Sequence, residues 1–304
     1  MDGSHAIGVD LGGTKILAGV VTRTGEIVRR HERPTLTDSQ DSLVRELELA
    51  VDELMSPDVA ALGLGVPGPL DLRTGRTFDM VNLPFHDFPL REHMAERFGR
   101  PVGLDNDANA AAIAEWRVGA ARGVDDLVML TLGTGLGGGV ISNGTPFRPA
   151  RGAGAELGHV VIVHDGRPCQ GSCTGRGHLE PYVTGLAATK AAQAAFGPEA
   201  DARVLIRLAD DGDEQARTIL AEIGSYLGSG MGSFANIFAP ELILIGGGFG
   251  VAAWAHLIPA AEHVMRREAL RPMRDTVRVV RAELGTDAGL IGAGFVAFEA
   301  LDAQ

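Results

Sequence analysis

Short apolar runs alternate along the chain with amphipathic stretches, and this alternation predicts an α/β architecture. The apolar runs that read as strands lie at residues 6–9, 16–21, 61–66, 101–104, 128–132 and 242–245. Amphipathic or alanine-rich stretches predict helices at residues 42–54, 90–98, 107–121, 181–196, 201–210, 213–238 and 289–301. Residues 146–177 are polar and rich in glycine, so we expect a long loop region there.

Two lobes are expected in a chain of 304 residues with this order of elements. We place residues 1–120 and 289–304 in a small N-terminal lobe and residues 121–288 in a larger C-terminal lobe. The last helix is expected to pack back on the first lobe, which otherwise lacks a closing helix. The cleft between two such lobes is the default ligand site.

A glycine turn, Asp10-Leu11-Gly12-Gly13-Thr14-Lys15, joins the first two predicted strands. Adjacent glycines let the backbone approach a ligand, and a turn of exposed amides can hold an anion such as phosphate. Asp10, at the strand end, is placed to hold magnesium against that phosphate. The same residues also fit a plain hairpin. Lys15 either neutralises phosphate, pins the hairpin to its neighbour, or is simply a solvated lysine.

The strand–turn–strand pattern occurs again at residues 128–141, where Gly133, Thr134 and Gly135 form the turn. In both copies the returning strand closes at a turn dipeptide, residues 24–25 and 143–144. A third glycine run, which includes Gly247 and Gly248, follows the strand at 242–245. Three such turns predict a nucleotide held between two related lobes.

The composition excludes several classes of protein. A net charge of −12 argues against nonspecific binding to nucleic acid or to anionic membranes. No apolar run approaches the roughly 20 residues that a membrane span needs, and the N-terminus shows no export signal. Two cysteines do not make a disulfide framework. A cytoplasmic protein is the simplest expectation.

A second candidate site lies where a strand runs into a helix at Asp105-Asn106-Asp107. Asp105 is expected to cap the helix. Three acid or amide side chains in a row exceed what one cap needs. A carboxylate at this place can accept a proton from a substrate hydroxyl while Asn106 fixes a neighbouring hydroxyl. The pattern alone leaves Asp105 and Asp107 as alternatives for this base.

Both cysteines of the chain fall within one glycine-rich loop, flanked by two histidines. His159, Cys169, Cys173 and His178 can make a four-coordinate zinc site in a region with little core of its own. The alternative is two loop thiols with two unrelated histidines. Glu156 and Glu180 flank these residues and can accept hydrogen bonds from a polyhydroxy ligand, although both also fit surface glutamates.

With these motifs the chain resembles the ROK family of sugar kinases from about residue 6 to residue 300. The resemblance implies a two-lobed actin-like ATPase (ribonuclease H-like) fold with an interdomain cleft. The segments that carry it are 10–15 (DLGGTK), 65–71 (GVPGPLD), 82–85 (NLPF), 106–111 (NDANAA), 132–139 (LGTGLGGG), 154–159 (GAELGH) and 245–248 (IGGG).

Carried onto this chain, the resemblance makes Asp107 the catalytic base. It implies ATP with Mg²⁺ as cofactors and Zn²⁺ as a structural ion. The implied sugar contacts are Gly68, Asn82, Asn106, Glu156, His159 and Glu180. The implied nucleotide and magnesium contacts are Asp10, Gly12, Gly13, Thr14, Lys15, Gly133, Thr134, Gly135, Gly247 and Gly248.

The zinc motif of this chain departs from the pattern of the family. The family uses one His and three Cys, the latter in a Cys-x-Cys-Gly-x-x-Gly-Cys-x-Glu run. Here Cys169 and Cys173 are four positions apart instead of two, and His178 stands in the third cysteine position, two before Glu180. The place of Cys169 therefore depends on how the loop takes up two inserted residues.

The expected activity is ATP-dependent phosphorylation of a hexose at its 6-hydroxyl, with glucose as the first choice. The alternatives are kinases for fructose, mannose, allose or an N-acetylhexosamine, use of ADP or polyphosphate as donor, and a sugar-sensing repressor. No basic DNA-reading element favours the repressor. The expected partners are a sugar, a nucleotide and further copies of the chain in a homodimer or homotetramer, without nucleic acid or membrane.

Overall fold

A computed structural model describes residues 4–80, 83–150, 152, 154–171 and 173–304. The chain divides into two compact units. Unit 1 comprises Met1–Gly123, Pro146–Ala155 and Thr286–Gln304, and unit 2 comprises Val124–Thr145 and Glu156–Gly285. Residues 146–155, which we expected in the C-terminal lobe, are thus grouped with unit 1.

The elements of both units follow in chain order. The strands are β1 His5–Leu11, β2 Lys15–Thr22, β3 Ile27–Pro34, β4 Val59–Val66, β5 Leu70–Asp71, β6 Arg76–Thr77, β7 Val102–Asn106, β8 Leu127–Leu132, β9 Leu136–Ser142, β10 Thr145–Pro146, β11 Leu242–Gly246 and β12 Arg278–Arg281. The helices are α1 Gln40–Asp52, α2 Leu90–Phe98, α3 Asp107–Val118, α4 Glu180–Val183, α5 Gly185–Phe196, α6 Ala202–Asp210, α7 Glu214–Phe238, α8 Gly248–Ala252, α9 Trp254–Glu268, α10 Met273–Thr276 and α11 Ala288–Asp302. Short 3-10 turns occupy Leu157–His159 and Gly285–Asp287.

Unit 1 is built on a five-stranded sheet with the order β3-β2-β1-β4-β7. Strands β1, β2 and β3 form an antiparallel meander, and β4 and β7 continue the sheet parallel to β1. Every residue of β4 is buried, as expected for a strand covered on both faces. The helix α1 begins at Ser39, whose side chain accepts a hydrogen bond from the Ser42 amide.

Helix α11 packs directly on this sheet. At Gly8 and Gly63 an added Cβ would collide with the backbone of α11, at Leu290 and Ala293 respectively. Glycine is required at both positions because it lets a helix backbone and a strand backbone come this close. The prediction that the last helix packs back on the first sheet is confirmed.

Unit 2 repeats the same plan with the strand order β10-β9-β8-β11-β12. Strands β8 and β9 are antiparallel, and β11 and β12 run parallel to β8. The long helix α7 lies against α9, where Gly224 and Gly228 touch the backbone of Leu257 and Ala261. The duplicated hairpin of the sequence is therefore confirmed, and the duplication extends to both five-stranded sheets.

Several elements differ from those predicted. Strands β3 and β12 and the helices α8 and α9 were not predicted, and the helix expected at 181–196 is divided at Thr184, whose extended backbone and side-chain oxygen cap α5. Helix α3 ends at Val118 rather than at residue 121. Within the described residues, no helix is both long enough and apolar enough to span a membrane.

Candidate functional site

The first glycine turn, residues 12–14, is held by its own backbone and by Thr35. The Gly12 amide donates to the Lys15 carbonyl at 2.9 Å, and the Thr35 hydroxyl and amide donate to the carbonyls of Gly12 and Thr14 at 2.7 and 3.1 Å. The amides of Gly13 and Thr14 have no hydrogen-bond partner among the described residues. The turn is thus fixed while two donors remain for an anion.

Asp10 lies at the end of β1, immediately before this turn. Burial, together with the nearby Asp107 carboxylate, raises the pKa of Asp10 to about 7, although Lys15 opposes the shift. The start of α11 crowds the same carboxylate, because an added Cβ at Gly289 would lie 2.5 Å from Asp10 Oδ2. Among the described residues, burial and Asp107 thus outweigh the opposing charge of Lys15.

The register of the sheet explains why Asp10 and Asp107 are neighbours. Asp10 pairs with Gly65 on β4, and Gly65 pairs with Asp105 on β7. Gly65 carries no side chain, and an added Cβ there would lie 3.5 Å from Asp107 Cα. A glycine therefore lies between Asp10 on β1 and Asp107, the first residue of α3.

Three polar residues at the start of α3 make different contacts. Asn106 is the N-cap, and its Oδ1 accepts hydrogen bonds from the amides of Ala108 and Asn109 at 2.9 and 3.3 Å. Asp107 Oδ1 accepts from the Ala108 amide at 2.9 Å. The prediction that Asp105 caps this helix is wrong. Asp105 is fully buried, and its Oδ2 forms an ion pair with Arg148 Nη2 at 2.6 Å, while Asn106 takes the capping position.

Lys15 forms an ion pair that joins two strands. Its Nζ donates to Glu32 Oε2 on β3 at 2.8 Å, and both side chains are about half exposed. A surface pair of this kind contributes little to stability, of the order of 0–1 kcal/mol. Of the alternatives raised by the sequence, the structure shows the contact with the neighbouring strand.

The second glycine turn, residues 133–135, connects β8 to β9. The Gly133 amide donates to the Gly135 carbonyl at 3.0 Å, and the Gly133 carbonyl accepts from the Gly185 amide at 2.8 Å. The Leu136 amide, directly after the turn, donates to Glu180 Oε2 at 2.9 Å. The amides of Thr134 and Gly135 have no partner among the described residues.

A cavity of about 690 Å³ opens beside the second turn within unit 2. Gly133, Thr134 and Gly248, which the sequence singled out, contribute to its wall. Its other lining residues were not predicted and are Gly185, Leu186, Thr189, Asp201, Ala202, Arg203, Ile206, Phe249 and Ala252. Gly247 has a φ of 77°, and an added Cβ would strike the Leu132 backbone, so this glycine fixes where α8 begins.

The four predicted metal ligands come together in unit 2. Their donor atoms, from His159, Cys169, Cys173 and His178, all lie within 4.8 Å of one another. The two histidine Nδ1 atoms are 3.3 Å apart, and each lies 3.6 Å from a cysteine sulfur. Tetrahedral zinc with ordinary bond lengths separates two nitrogens by about 3.3 Å and nitrogen from sulfur by about 3.6 Å. The donor set therefore fits zinc.

The two inserted residues form a turn that leaves Cys169 in the cluster. The Cys173 amide donates to the Gln170 carbonyl at 3.3 Å, and Gly171 has a φ of 60°, which favours glycine. The Cys169 amide donates to the Gly175 carbonyl at 2.9 Å. Burial, with Cys173 nearby, raises the pKa of the Cys169 thiol to about 11.

The predicted sugar contacts are distributed over both units. Gly68, with a φ of 95°, follows β4, whose last residue Val66 pairs with Asn106 on β7. Glu156 and His159 are exposed at the 3-10 turn of unit 2, next to the metal cluster and Glu180. Asn82 lies outside the described residues.

Known proteins match this chain over nearly its full length. Residues 6–300 match the ROK family model. A glucokinase of Thermotoga maritima is 35% identical over 95% of this chain and 96% of its own. The ROK hexokinase of Thermus thermophilus has a TM-score of 0.84 at 35% identity, covering 99% and 100% of the two chains. A ROK glucokinase of Streptomyces griseus, solved with glucose and AMPPNP, has a TM-score of 0.83 at 33% identity, covering 97% and 99%.

These matches, with the two related sheets and their glycine turns, establish the class. The chain belongs to the ROK family and has the two-lobed actin-like ATPase fold.

Proposed function

We propose that this protein is an ATP-dependent hexokinase that transfers the γ-phosphate to the 6-hydroxyl of glucose. The observation that carries the proposal is the pair of neighbouring carboxylates, Asp10 and Asp107, beside a glycine turn in a chain that matches glucokinases from end to end. The Streptomyces griseus relative binds glucose and an ATP analogue, and the same two ligands are proposed here.

Asp107 is proposed as the general base. It removes the proton from the 6-hydroxyl while that oxygen attacks the γ-phosphorus, and ADP leaves. Its position as the first residue of α3 and its hydrogen bond from the Ala108 amide orient the carboxylate. Asp105 is excluded as an alternative base because its buried carboxylate is committed to Arg148, Asn106 and Asn109.

Asp10 is proposed to hold the Mg²⁺ that accompanies ATP, directly or through its water shell. Its raised pKa shows a buried carboxylate whose charge the protein leaves poorly compensated, and a divalent cation meets that need. When bound, the ion neutralises charge on the transferred phosphoryl group.

The two glycine turns and the unit 2 cavity are proposed to bind the nucleotide. The amides of Gly13, Thr14, Thr134 and Gly135, which find no partner in the part of the chain that the structure describes, are donors for phosphate oxygens, with Gly12 and Gly133 fixing the turns. The cavity lined by Gly248 has the volume that a nucleoside requires. We assign Lys15 to the outer part of this site, where its ion pair with Glu32 leaves it half exposed.

His159, Cys169, Cys173 and His178 are proposed to hold one structural zinc ion. With four protein donors no coordination position is left for a substrate, so the ion would order the loop rather than react. Metal binding through His159 Nδ1 leaves the proton on Nε2, which makes that nitrogen a hydrogen-bond donor for a sugar hydroxyl. Glu156, Glu180, Asn106, Gly68 and Asn82 complete the proposed sugar contacts.

A panel assay tests this proposal. Purified protein is given ATP with glucose, fructose, mannose, allose or N-acetylglucosamine, and ADP release is measured. Phosphorus NMR then locates the phosphate on the product. We expect the highest kcat/KM with glucose and a 6-phosphate product. A higher kcat/KM with an N-acetylated sugar would make that sugar, rather than glucose, the proposed substrate. The absence of turnover with every sugar would refute the proposed kinase activity.

The donor and the assembly require separate measurements. ADP and polyphosphate replace ATP in the same assay, and we expect turnover with ATP alone. Light scattering after size exclusion measures the mass of the assembly, for which we propose a homodimer or homotetramer of the 31.8 kDa chain.

A further inference from the structure

Arg148 makes a buried ion-pair network in unit 1 that the proposed chemistry does not use directly. Its Nε donates to Asp105 Oδ2 at 2.7 Å, and its Nη2 lies 2.6 Å from the same oxygen. Its Nη1 donates to Glu299 Oε2 on α11 at 2.8 Å. Asp105 is fully buried, while Arg148 and Glu299 are each about 30% exposed.

The other oxygen of Asp105 reaches the segment that carries the proposed base. Asp105 Oδ1 accepts hydrogen bonds from the Asn106 amide at 2.8 Å and from Asn109 Nδ2 at 3.1 Å. These two contacts bracket Asp107, one residue before it and two residues after it. The Asp105 carboxylate therefore holds the backbone directly before the base and the Asn109 side chain after it.

We propose that Arg148 is a positioning residue for Asp107, acting through the Asp105 carboxylate; this inference rests on the proposed kinase function. A buried carboxylate needs a compensating charge to stay ionised and fully hydrogen-bonded. Arg148 supplies that charge with a planar fork that fixes the orientation of Asp105. Without it, the buried Asp105 carboxylate has lost its partner charge and turns towards water, and its contacts with residues 106 and 109 are lost.

The network also joins three separate stretches of the chain. Arg148 comes from residues 146–155, Asp105 from the end of β7 and Glu299 from α11. Burial lowers the pKa of Arg148, but the two carboxylates outweigh this effect and raise it overall. The arginine thus stays charged at every working pH. It contributes to the proposed positioning of Asp107 through its geometry and not through a change in its own protonation.

Arg148→Met tests the proposal, because it keeps the length of the side chain but removes its charge and donors. We expect kcat to fall roughly 30- to 100-fold, since displacing a catalytic group by about 1 Å costs of this order. The KM for ATP should stay within about twofold, because Arg148 bonds to Asp105 and Glu299, which we assign neither to a glycine turn nor to the unit 2 cavity. Arg148→Lys restores the charge with fewer donors and should recover part of kcat.

The double variant Arg148→Met with Asp105→Asn separates positioning from simple damage. It removes both charges but keeps an amide oxygen for the Asn106 amide, so kcat should exceed that of Arg148→Met alone. Arg23→Met is the matched control. Arg23 binds Asp302 on α11 with two hydrogen bonds of 2.9 and 2.7 Å but is largely exposed, and kcat should be unchanged.

Hydrogen exchange gives a readout that does not depend on turnover. The amides of residues 106–109 should exchange faster in Arg148→Met than in the wild type and at the wild-type rate in Arg23→Met. An unchanged exchange rate or a kcat within twofold of the wild type in Arg148→Met overturns the proposal. Additive losses in the double variant also overturn it. A wild type without any sugar kinase activity refutes the proposed function instead, and hydrogen exchange still decides the role of Arg148.

Discussion

The two glycine turns share a backbone plan and differ in their chemistry. In the first hairpin, the strand pairing ends with Leu11 opposite Ile16. In the second hairpin, it ends with Leu132 opposite Leu136. By this alignment Asp10 corresponds to Thr131. Unit 1 thus places a carboxylate before its turn, with a second carboxylate, Asp107, beside it.

In unit 2 a neutral residue, Thr131, comes before the turn, and a side chain that follows the metal loop holds the end of the turn. The amide of Leu136 is held by Glu180, only two residues beyond His178, one of the proposed metal ligands. One backbone unit therefore supports two different tasks. In our proposal the carboxylates that react, Asp10 and Asp107, belong to unit 1, whereas the metal loop belongs to unit 2. Substitutions of the two carboxylates should chiefly lower kcat, and substitutions in the metal loop should chiefly raise KM.

The largest effect is expected for Asp107→Asn. The amide cannot accept the proton of the hydroxyl, so kcat should fall about 10²- to 10⁴-fold, while glucose binding measured by calorimetry stays nearly unchanged. Asp41, exposed in the first turn of α1, provides the matched control, and Asp41→Asn should keep full activity. Near-normal turnover in Asp107→Asn would remove Asp107 from the role of base.

Asp10→Asn should show the next largest loss. Removing the proposed ligand of Mg²⁺ should lower kcat about 10²- to 10³-fold at ordinary magnesium concentrations. Thr131→Ser changes the equivalent residue of unit 2 and should alter kcat less than about threefold. Equal losses in the two variants would show that the turns do not differ as proposed.

The same Asp10 variant should gain stability in a pH-dependent way. The folded pKa of about 7 lies above the unfolded value of 3.8, so the unfolded state loses its proton first and the wild type loses stability as pH rises from about 4 to 7. The full cost, at most about 4 kcal/mol, is present above pH 7. Thermal unfolding without added magnesium should therefore give equal Tm values near pH 4 and a higher Tm for Asp10→Asn at pH 8.

Much of this arrangement could be predicted from the pattern of residues. The alternation of apolar runs with amphipathic stretches and the glycine turns are local signals in the sequence. They were enough to predict both hairpins and the bounds of α2. Strand β3 escaped prediction because it is an edge strand rich in arginine, with little burial to create an apolar run. Helix α9 escaped because Pro259 lies inside it and its N-cap residue, Ala253, offers no side chain that could cap the helix.

The parts of the candidate site that are formed by residues close together in the sequence could be predicted. The parts formed by residues far apart in the sequence could not. The four candidate metal ligands lie within 20 positions, and their spacing in the sequence was enough to predict that they come together. Arg148 gave no such signal, because its partners Asp105 and Glu299 are 43 and 151 positions away. The same holds for Gly185 and Asp201 in the cavity, which only the packing of α5 and α6 brings to the second turn.

Loss of the metal should have an intermediate effect and act on KM. Cys173→Ser should abolish zinc in elemental analysis and raise the KM for glucose about 10- to 100-fold. The KM for ATP should rise as well, by a smaller factor, because Glu180 then holds the Leu136 amide less firmly. Zinc affinity should rise with pH, since the Cys169 thiol, with its pKa near 11, must lose its proton to bind.

His164→Ala is the control for this variant. His164 is exposed in the same loop but outside the cluster, so zinc and both KM values should be retained. Zinc-free wild-type protein with full activity would contradict the structural role of the metal.

The smallest and most specific effects are expected for a glycine from each turn. An added Cβ at Gly13 meets no atom within 4 Å, so Gly13→Ala should keep the wild-type Tm or exceed it slightly. The methyl group occupies the space proposed for phosphate and should raise only the KM for ATP, by severalfold.

At Gly135 the added Cβ would lie 2.9 Å from Glu180 Oε2 and displace that carboxylate from the Leu136 amide. Gly135→Ala should therefore raise the KM for glucose as well as for ATP. Steady-state kinetics with each substrate varied, together with thermal unfolding, separates these outcomes. If both variants raise the same KM values by the same factors, Glu180 does not link the metal loop to the second turn.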